Sequence, residues 1–393
     1  MAYLFVGAGQ AGCALVDSVF EVDRVSTLAT PVAVNSTIRD LQNLSNVGQE
    51  SWIGISQREG LVPGDEAGFE EKVSGGFGRD PKVADETASD LVGPLASAFA
   101  EQFGEGTPSF AFVFAGLGGG TGCGIAPHVA EAVTEFAGET TDVIGVAVLP
   151  NTSGDITRQN ADDEETVSAG RQASNAVYGL DRLEAVVDGI LLVDNQRLAY
   201  EEAAEGRFDD FNEYVAAGIR DLVSGPVLER IDPGTYEDFQ PQTIDLQDVV
   251  TSLSVPDGTG YAAMGRSVVQ TKSLPGYLVP FLGLGRQSVD GDTLAQLAIS
   301  KRSVADLSPG LAKRAIGQIR APAPYVSGDD YRIEISLVRS RLDSYCPEVN
   351  LGMMLTERNL ASFTTLLTFE REDVDRIEQL ESQAARYGPS TTV

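Results

Sequence analysis

The sequence predicts an α/β protein: a doubly wound sheet, then a long helix, then a second part of mixed α+β character. Three observations lead there. Apolar runs alternate with helix-compatible stretches over residues 1–205. Two of those runs end in glycine-rich loops. Beyond residue 225, strand and helix signals follow no regular alternation. A chain of 393 residues is long enough for two domains.

The first element is an apolar strand, Tyr3–Val6, followed directly by Gly7-Ala8-Gly9-Gln10-Ala11-Gly12 and helix-compatible residues to Phe20. Taken alone, G-x-G-x-x-G between strand and helix is a dinucleotide-binding signature. That reading requires an acid at the end of the second strand to hold the ribose. The second run, Pro31–Val34, ends instead in Asn35-Ser36-Thr37, and the next acid, Asp40, comes five residues after Asn35. A nicotinamide-dependent oxidoreductase is therefore disfavoured. Next in order, Gly75-Gly76-Phe77-Gly78-Arg79-Asp80 is either a flexible surface loop or a phosphate contact, since three glycines and an arginine suit an anion.

A third strand, Phe110–Ala115, runs into Gly118-Gly119-Gly120-Thr121-Gly122-Cys123-Gly124, and a helix-compatible run, Ile125–Ala137, follows. Glycine lets backbone N–H groups close on an anion without steric cost. A helix start behind the loop adds unpaired N–H groups and a positive dipole end. No Lys-Ser/Thr follows, so this is not the Walker pattern. The alternative is a tight turn with no ligand, but five glycines exceed what a turn needs. Two further strands, Asp142–Leu149 and Gly189–Val193, complete the first part, with acidic surface helices such as Glu131–Ala137 between them.

From Asp209 to Val223, Phe211, Val215, Ile219 and Leu222 recur at helical spacing. This is either a linker helix between domains or an ordinary amphipathic surface helix. In the second part, strands are expected at Gly260–Met264, Tyr331–Val338 and Phe363–Phe369, and a terminal amphipathic helix at Glu372–Arg386. Seven residues follow that helix, so no extended partner-binding tail is expected. Asp245 and Asp248 stand three apart at a helix start, where they serve as plain caps or share one exposed edge. His128 has no nucleophile partner in the sequence and reads as structural. Trp52 carries no functional signal.

Composition bounds the setting. The net charge is −30, yet 42% of residues are hydrophobic, so the chain is not a disordered acidic one. Lys72, Lys82, Lys272, Lys301 and Lys313 are the only lysines among 28 basic residues. An acidic, lysine-poor globular chain suits molar salt, where charges are screened within about 3 Å; an ordinary acidic cytosolic protein is the alternative. Nucleic-acid binding is disfavoured by this charge. No uncharged apolar run reaches the roughly 18 residues that a membrane span needs, and the first strand leaves no room for a signal peptide. Cys13, Cys123 and Cys346 are too few and scattered for a disulfide framework. A cytoplasmic location is expected, and no acid or Cys/His cluster shows metal-ligand spacing.

Two glycine loops about 110 residues apart, each after a strand, resemble the tubulin/FtsZ superfamily, whose GGGTG(S/T)G hallmark is matched by Gly118–Gly124 except at Cys123. The first loop, GAGQAGC, is more similar to tubulin's, and this mixed character resembles the CetZ group of archaeal tubulin-like proteins, across residues 3–385. The resemblance implies a Rossmann-like GTP-binding domain (1–205), a central linker helix (206–224), a C-terminal activation domain (225–369) and a terminal helix with a short tail (370–393). It implies phosphate contacts from Gly9, Gln10 and Ala11, from Asn35 and Ser36, from Gly76 and Gly78, and from Gly118, Gly119, Gly120, Thr121, Gly122 and Cys123. It places Arg171 near the ribose, Asn195 and Asn212 on the guanine edge, and Phe208 stacked on the base. Asp245 and Asp248 correspond to acids that enter the next subunit's pocket and position water against the γ-phosphate. Three positions depart from the pattern: Ser168 stands where a glutamate holds the ribose, with Asp162–Glu165 as a substitute source of carboxylate; Cys123 replaces a hydroxyl; Thr243 replaces an asparagine. The cofactors implied are GTP/GDP with Mg2+ held mainly by phosphates and water, and K+ or Na+ beside it. The partners implied are a second copy of the chain, head to tail, or a paralogous tubulin-like protein. A nucleotide-controlled scaffold with little turnover is the competing expectation.

Overall fold

The computed structural model describes residues 3–138, 140–152, 164–199, 208–223, 244–256, 258–272, 287–304, 306–326 and 333–387. Its strands are β1 (Tyr3–Ala8), β2 (Ala29–Asn35), β3 (Trp52–Ser56), β4 (Gly60–Pro63), β5 (Phe110–Gly116), β6 (Asp142–Leu149), β7 (Gly189–Asp194), β8 (Ser254–Val255), β9 (Gly258–Gln270), β10 (Arg314–Ala321), β11 (Glu348–Leu355) and β12 (Leu360–Phe369). The principal helices are α1 (Gly9–Val19), α2 (Pro81–Ser89), α3 (Val92–Phe103), α4 (Thr121–Ala137), α5 (Glu164–Glu184), α6 (Phe208–Val223), α7 (Leu246–Leu253), α8 (Gly291–Ser300), α9 (Ile335–Asp343) and α10 (Asp375–Tyr387).

The strands hydrogen-bond in the order β11-β10-β12-β9-β7-β6-β5-β1-β2-β3-β4, with β8 added against β9. From β3 through β2, β1, β5, β6 and β7 to β9 every pairing is parallel. Such strands are covered on both faces, which is why they read as near-continuous apolar runs. Along β1 the alternation is resolved by face. Leu4, Val6 and Ala8 enter one core with Val113, Ile125 and Val129. Tyr3 and Phe5 enter the other with Val16, Phe112 and Val215. Phe5 is fully buried, its ring centroid 4.9 Å from that of Phe112 and 6.0 Å from that of Phe20.

The chain leaves β1 for β2 on one side and returns for β5 on the other, so the carboxyl end of β1 is a topological switch point, where doubly wound folds place their ligands. β9 continues the same sheet into antiparallel β12 and β10, with β11 parallel at the edge. Consecutive residues of α6 tie the two parts together. The Arg220 guanidinium donates to the Ser18 and Val19 carbonyls at the end of α1. The buried Asp221 carboxylate accepts from Arg266, Arg320 and Thr364 on β9, β10 and β12.

The expected strand at Tyr331–Val338 is a correction: residues from Ile335 form α9, and Tyr331 lies outside the described residues. Tyr331, Ile333, Ile335 and Leu337 alternate as in a strand, but the structure leaves Leu337 39% exposed and buries Val338 and Leu342, which are i,i+4 neighbours on a helix. β3, β4, β10 and β11 carry no sequence signal strong enough to have been anticipated.

All three cysteines are buried and unpaired. No helix among the described residues is long and apolar enough to cross a membrane. With a net charge of −30, self-repulsion reaches many more charge pairs at about 0.1 M salt, where the Debye length is about 10 Å, than at about 1 M, where it is about 3 Å. The melting temperature should therefore rise steeply as NaCl is raised over that range; a flat calorimetric profile would refute this.

Candidate functional site

At the carboxyl ends of β1, β2, β5, β6 and β7 lies a cleft of about 630 Å³. Two helices start on it without a side-chain cap: α1, after Ala8, and α4, after Gly120. Aspartates cap three other helix starts, Asp80 on α2, Asp245 on α7 and Asp290 on α8, whereas α3 and α9 also lack a side-chain cap. An uncapped first turn leaves N–H groups free for a ligand and presents the positive end of the helix dipole. The two starts touch through main chain alone. Gly9 has φ +70°, and a Cβ on it would fall 2.6 Å from the Gly122 nitrogen; one on Gly122 would fall 2.7 Å from the Ala8 oxygen. Gly9 thus packs behind the cleft rather than on it.

Gln10, Ala11, Asn35, Gly76, Gly78, Gly118, Gly119, Gly120, Thr121, Gly122, Arg171 and Asn195 line this one cleft. Ser36 does not line this cleft, but its hydroxyl lies 2.8 Å from that of Thr121, which does. The Asn35 amide is spent locally: its oxygen accepts from the Ser36 N–H at 2.8 Å, and its nitrogen donates to Asp40 at 3.5 Å. Asp40 also lines the cleft, and burial raises its carboxyl pKa above the usual range. Arg79 and Arg171 line the cleft, two basic residues in a chain of strongly negative net charge.

Other expected residues sit differently. Cys123 is fully buried, and its thiol donates to the Asn175 carbonyl at 2.9 Å, so no thiol faces the cleft and the expected weakened phosphate contact is not formed by this side chain. Burial pushes that thiol's pKa up strongly. Asn212 is half-buried on α6, away from the cleft wall. Phe208 opens that helix, and its side chain lies outside the described residues, as do Asp162 and Thr243. Ser168 lies on α5, half-buried, and does not line the cleft.

Asp245 and Asp248 form a reciprocal capping box on α7. The Asp248 N–H donates to Asp245 Oδ1 at 2.9 Å, and the Asp245 N–H to Asp248 Oδ2 at 3.1 Å. Neither acid lines the cleft of its own chain. Burial raises the pKa of the Tyr3 hydroxyl, and the neighbouring Asp245 charge adds to it; Tyr3 begins β1, whose other end opens on the cleft. Five residue steps of strand separate those ends, about 17 Å.

Sequence reasoning missed two supports. Arg376 of α10, 3% exposed, donates to the Pro150 carbonyl at 2.6 Å and pairs with buried Asp194 at 3.3 Å, bracing the ends of β6 and β7 beside Asn195. Asn175 on α5 is the other. Neither has a local motif, because each acts across more than 50 residues of sequence. His128 is structural in its contacts: its ring nitrogens lie 2.7 Å from Asp85 and 2.9 Å from Glu131, and Asp85 also accepts from Tyr178, linking α2, α4 and α5.

A parallel sheet with two uncapped helix starts at its switch point defines a doubly wound α/β domain. Comparison with known proteins narrows the class. The profile of the "Tubulin/FtsZ family, GTPase domain" matches residues 3–201, and the chain belongs to the tubulin/FtsZ family. The cell division protein FtsZ 1 of Pyrococcus abyssi is 31% identical over 233 residues, 58% of this chain and 52% of that protein; the matched stretch thus spans about half the length of that relative. The tubulin-like protein CetZ1 of Haloferax volcanii is 29% identical over 269 residues, 67% of this chain and 59% of the relative. CetZ1, solved as a GDP-bound monomer, shares the fold over 99% of this chain and all of that one, with a TM-score of 0.71 and 21% identity. CetZ2 of the same organism, solved as a GTPγS-bound protofilament, gives 0.68 at 22% identity over 98% of each chain.

Proposed function

We propose that this chain is a CetZ-like cytoskeletal GTPase. It binds GTP in the glycine-lined cleft, assembles head to tail, and completes hydrolysis with Asp245 and Asp248 of the neighbouring copy, in the service of cell shape or motility. The observation that carries this reading is that neither acid lines the cleft of its own chain, while the two together cap a helix start on which Asp245 is exposed. One subunit does not bring its own acids to its own phosphates; a copy stacked end on end does, and a heterologous contact of that kind propagates. Each carboxylate spends one oxygen on the capping box, which leaves the other to orient water. Phosphoryl transfer asks mainly for such positioning and for charge neutralisation.

The residues present fit a guanine nucleotide. Main-chain N–H groups of the two loops, with Arg79 and Arg171, offset phosphate charge. Asn195 sits on the wall, and its amide matches the guanine edge. Asn212, on the helix that packs against α1, does not line the cleft, and in this reading it is the second amide assigned to the guanine edge. Among the described residues no group of three His, Cys, Asp or Glu side chains is placed to hold a metal ion, so Mg2+ would sit on the phosphates and their water.

A competition assay tests the binding step. GTP should displace a labelled guanine nucleotide at least about tenfold better than ATP, since a lost hydrogen bond in a buried site costs about 1–3 kcal/mol. Equal displacement would sink the guanine assignment. Light scattering with GTP, GDP and a slowly hydrolysed GTP analogue at molar salt, with phosphate release measured in parallel, separates this reading from a scaffold without turnover. That second reading is favoured by the capping box, which gives both acids a purely structural task.

A further inference from the structure

Behind the second glycine loop stands one buried amide. Asn175, 6% exposed on α5, aims its Nδ2 at three main-chain oxygens: Arg79 at 3.1 Å, Gly119 at 3.2 Å and Gly118 at 3.3 Å. Its own carbonyl is held by the Cys123 thiol at 2.9 Å, from the first turn of α4. An amide nitrogen carries two protons, so three acceptors converging on it mark a point where separate pieces of chain have been turned to face the same donor.

In a trans peptide the C=O of one residue and the N–H of the next point in opposite directions. Anchoring the Gly118 and Gly119 carbonyls on Asn175 therefore aims the Gly119 and Gly120 N–H groups the other way, toward the cleft that both residues line. Neither N–H donates to a main-chain oxygen among the described residues. The third acceptor belongs to Arg79, which sits at φ +65°, a left-handed conformation that a residue with a side chain adopts only when its surroundings impose it. Arg79 and Gly120 are also in close contact, since a Cβ on Gly120 would fall 2.8 Å from the Arg79 carbonyl carbon.

We propose that Asn175 is a positioning residue for the phosphates: it sets the direction of the N–H groups of the glycine loop and holds Arg79 in the conformation that presents its guanidinium to the same anion. The inference rests on the nucleotide reading of the cleft and adds to it the group that gives the loop its polarity. It touches no ligand. Its effect falls on the phosphates and not on the base or sugar, which are met from β7, α5 and α6.

The test compares full-length wild type with Asn175→Ala and with the near-isosteric Asn175→Asp, which loses the amide donor. Affinities for GTP, GDP and guanosine are measured by displacement, and melting temperatures without nucleotide by calorimetry. For a folded variant the expected result is a loss of tenfold or more for GTP and GDP, with guanosine binding unchanged. Wild-type GTP affinity in either folded variant, or a loss that guanosine shares equally, overturns the positioning role. Wild type that binds neither nucleotide overturns the cleft assignment and this inference with it. Should both variants unfold, amide resonances of glycine-labelled wild type decide: Gly119 and Gly120 N–H signals that shift with GDP support the proposal, and signals that stay put refute it.

Discussion

Gly119→Val is expected to abolish guanine-nucleotide binding and to leave the melting temperature of the nucleotide-free chain unchanged. A Cβ at this position meets no atom within 4 Å, and the residue is not among the glycines at positive φ. The substitution therefore costs the empty fold little, while the added methyl groups project into the cleft that Gly119 lines and keep phosphate from the main chain. Affinity should fall at least about a hundredfold, or about 2.7 kcal/mol. Gly120→Val is the instructive contrast. Its Cβ would lie 2.8 Å from the Arg79 carbonyl carbon and the Asp80 nitrogen, so it pushes two loops apart and should lower stability as well. Titration with a fluorescent guanine nucleotide and a thermal melt read both quantities. Near wild-type affinity in Gly119→Val would show that the loop is not the phosphate cradle.

Asp245→Asn should leave GTP affinity intact and reduce turnover by about a hundredfold or more. Asparagine caps a helix as well as aspartate does, whereas alanine costs about 1 kcal/mol there, so Asn removes the charge while sparing α7. A water-positioning group acts on the transition state more than on ground-state binding, so loss of turnover without loss of affinity is the expected signature. Mixing provides the sharper result. Gly119→Val supplies both acids but an unusable cleft, and Asp245→Asn supplies a usable cleft but only one of the two acids. Neither should release phosphate alone, yet together they should recover part of the wild-type rate. A wild-type rate in Asp245→Asn by itself would end the case for hydrolysis across the contact and favour the scaffold reading.

Much of the N-terminal part was legible because its strands are buried on both faces. Phe110–Ala115 and Gly189–Val193 are unbroken apolar runs, and the glycine loops follow two such runs directly. The helix α6 was legible for a related reason: Phe211, Val215 and Ile219 mark one stripe, and all three are buried. At Tyr331–Val338 two periods competed. Alternation favoured a strand, and packing chose the helical pair Val338 and Leu342. β10, with arginines at positions 314 and 320, and β11, which opens on Glu348 and Asn350, mix polar residues into their runs and so hide them. Within the site, the sequence shows which residues are small or polar but not which way they face. Cys123 lies inside the glycine motif, yet its thiol turns toward α5. Asn175 carries no motif of its own and owes its importance to carbonyls 56, 57 and 96 residues away.

The contact between Gly9 and Gly122 has a mechanical consequence. Most neighbouring segments in a protein meet through side chains, which absorb small displacements by shifting among rotamers. These two glycines meet through main chain, at a separation that leaves no room for a single added carbon. Such a joint has no slack. A displacement at the start of α4 therefore carries the start of α1 with it, and the two helix starts form one stiff lip.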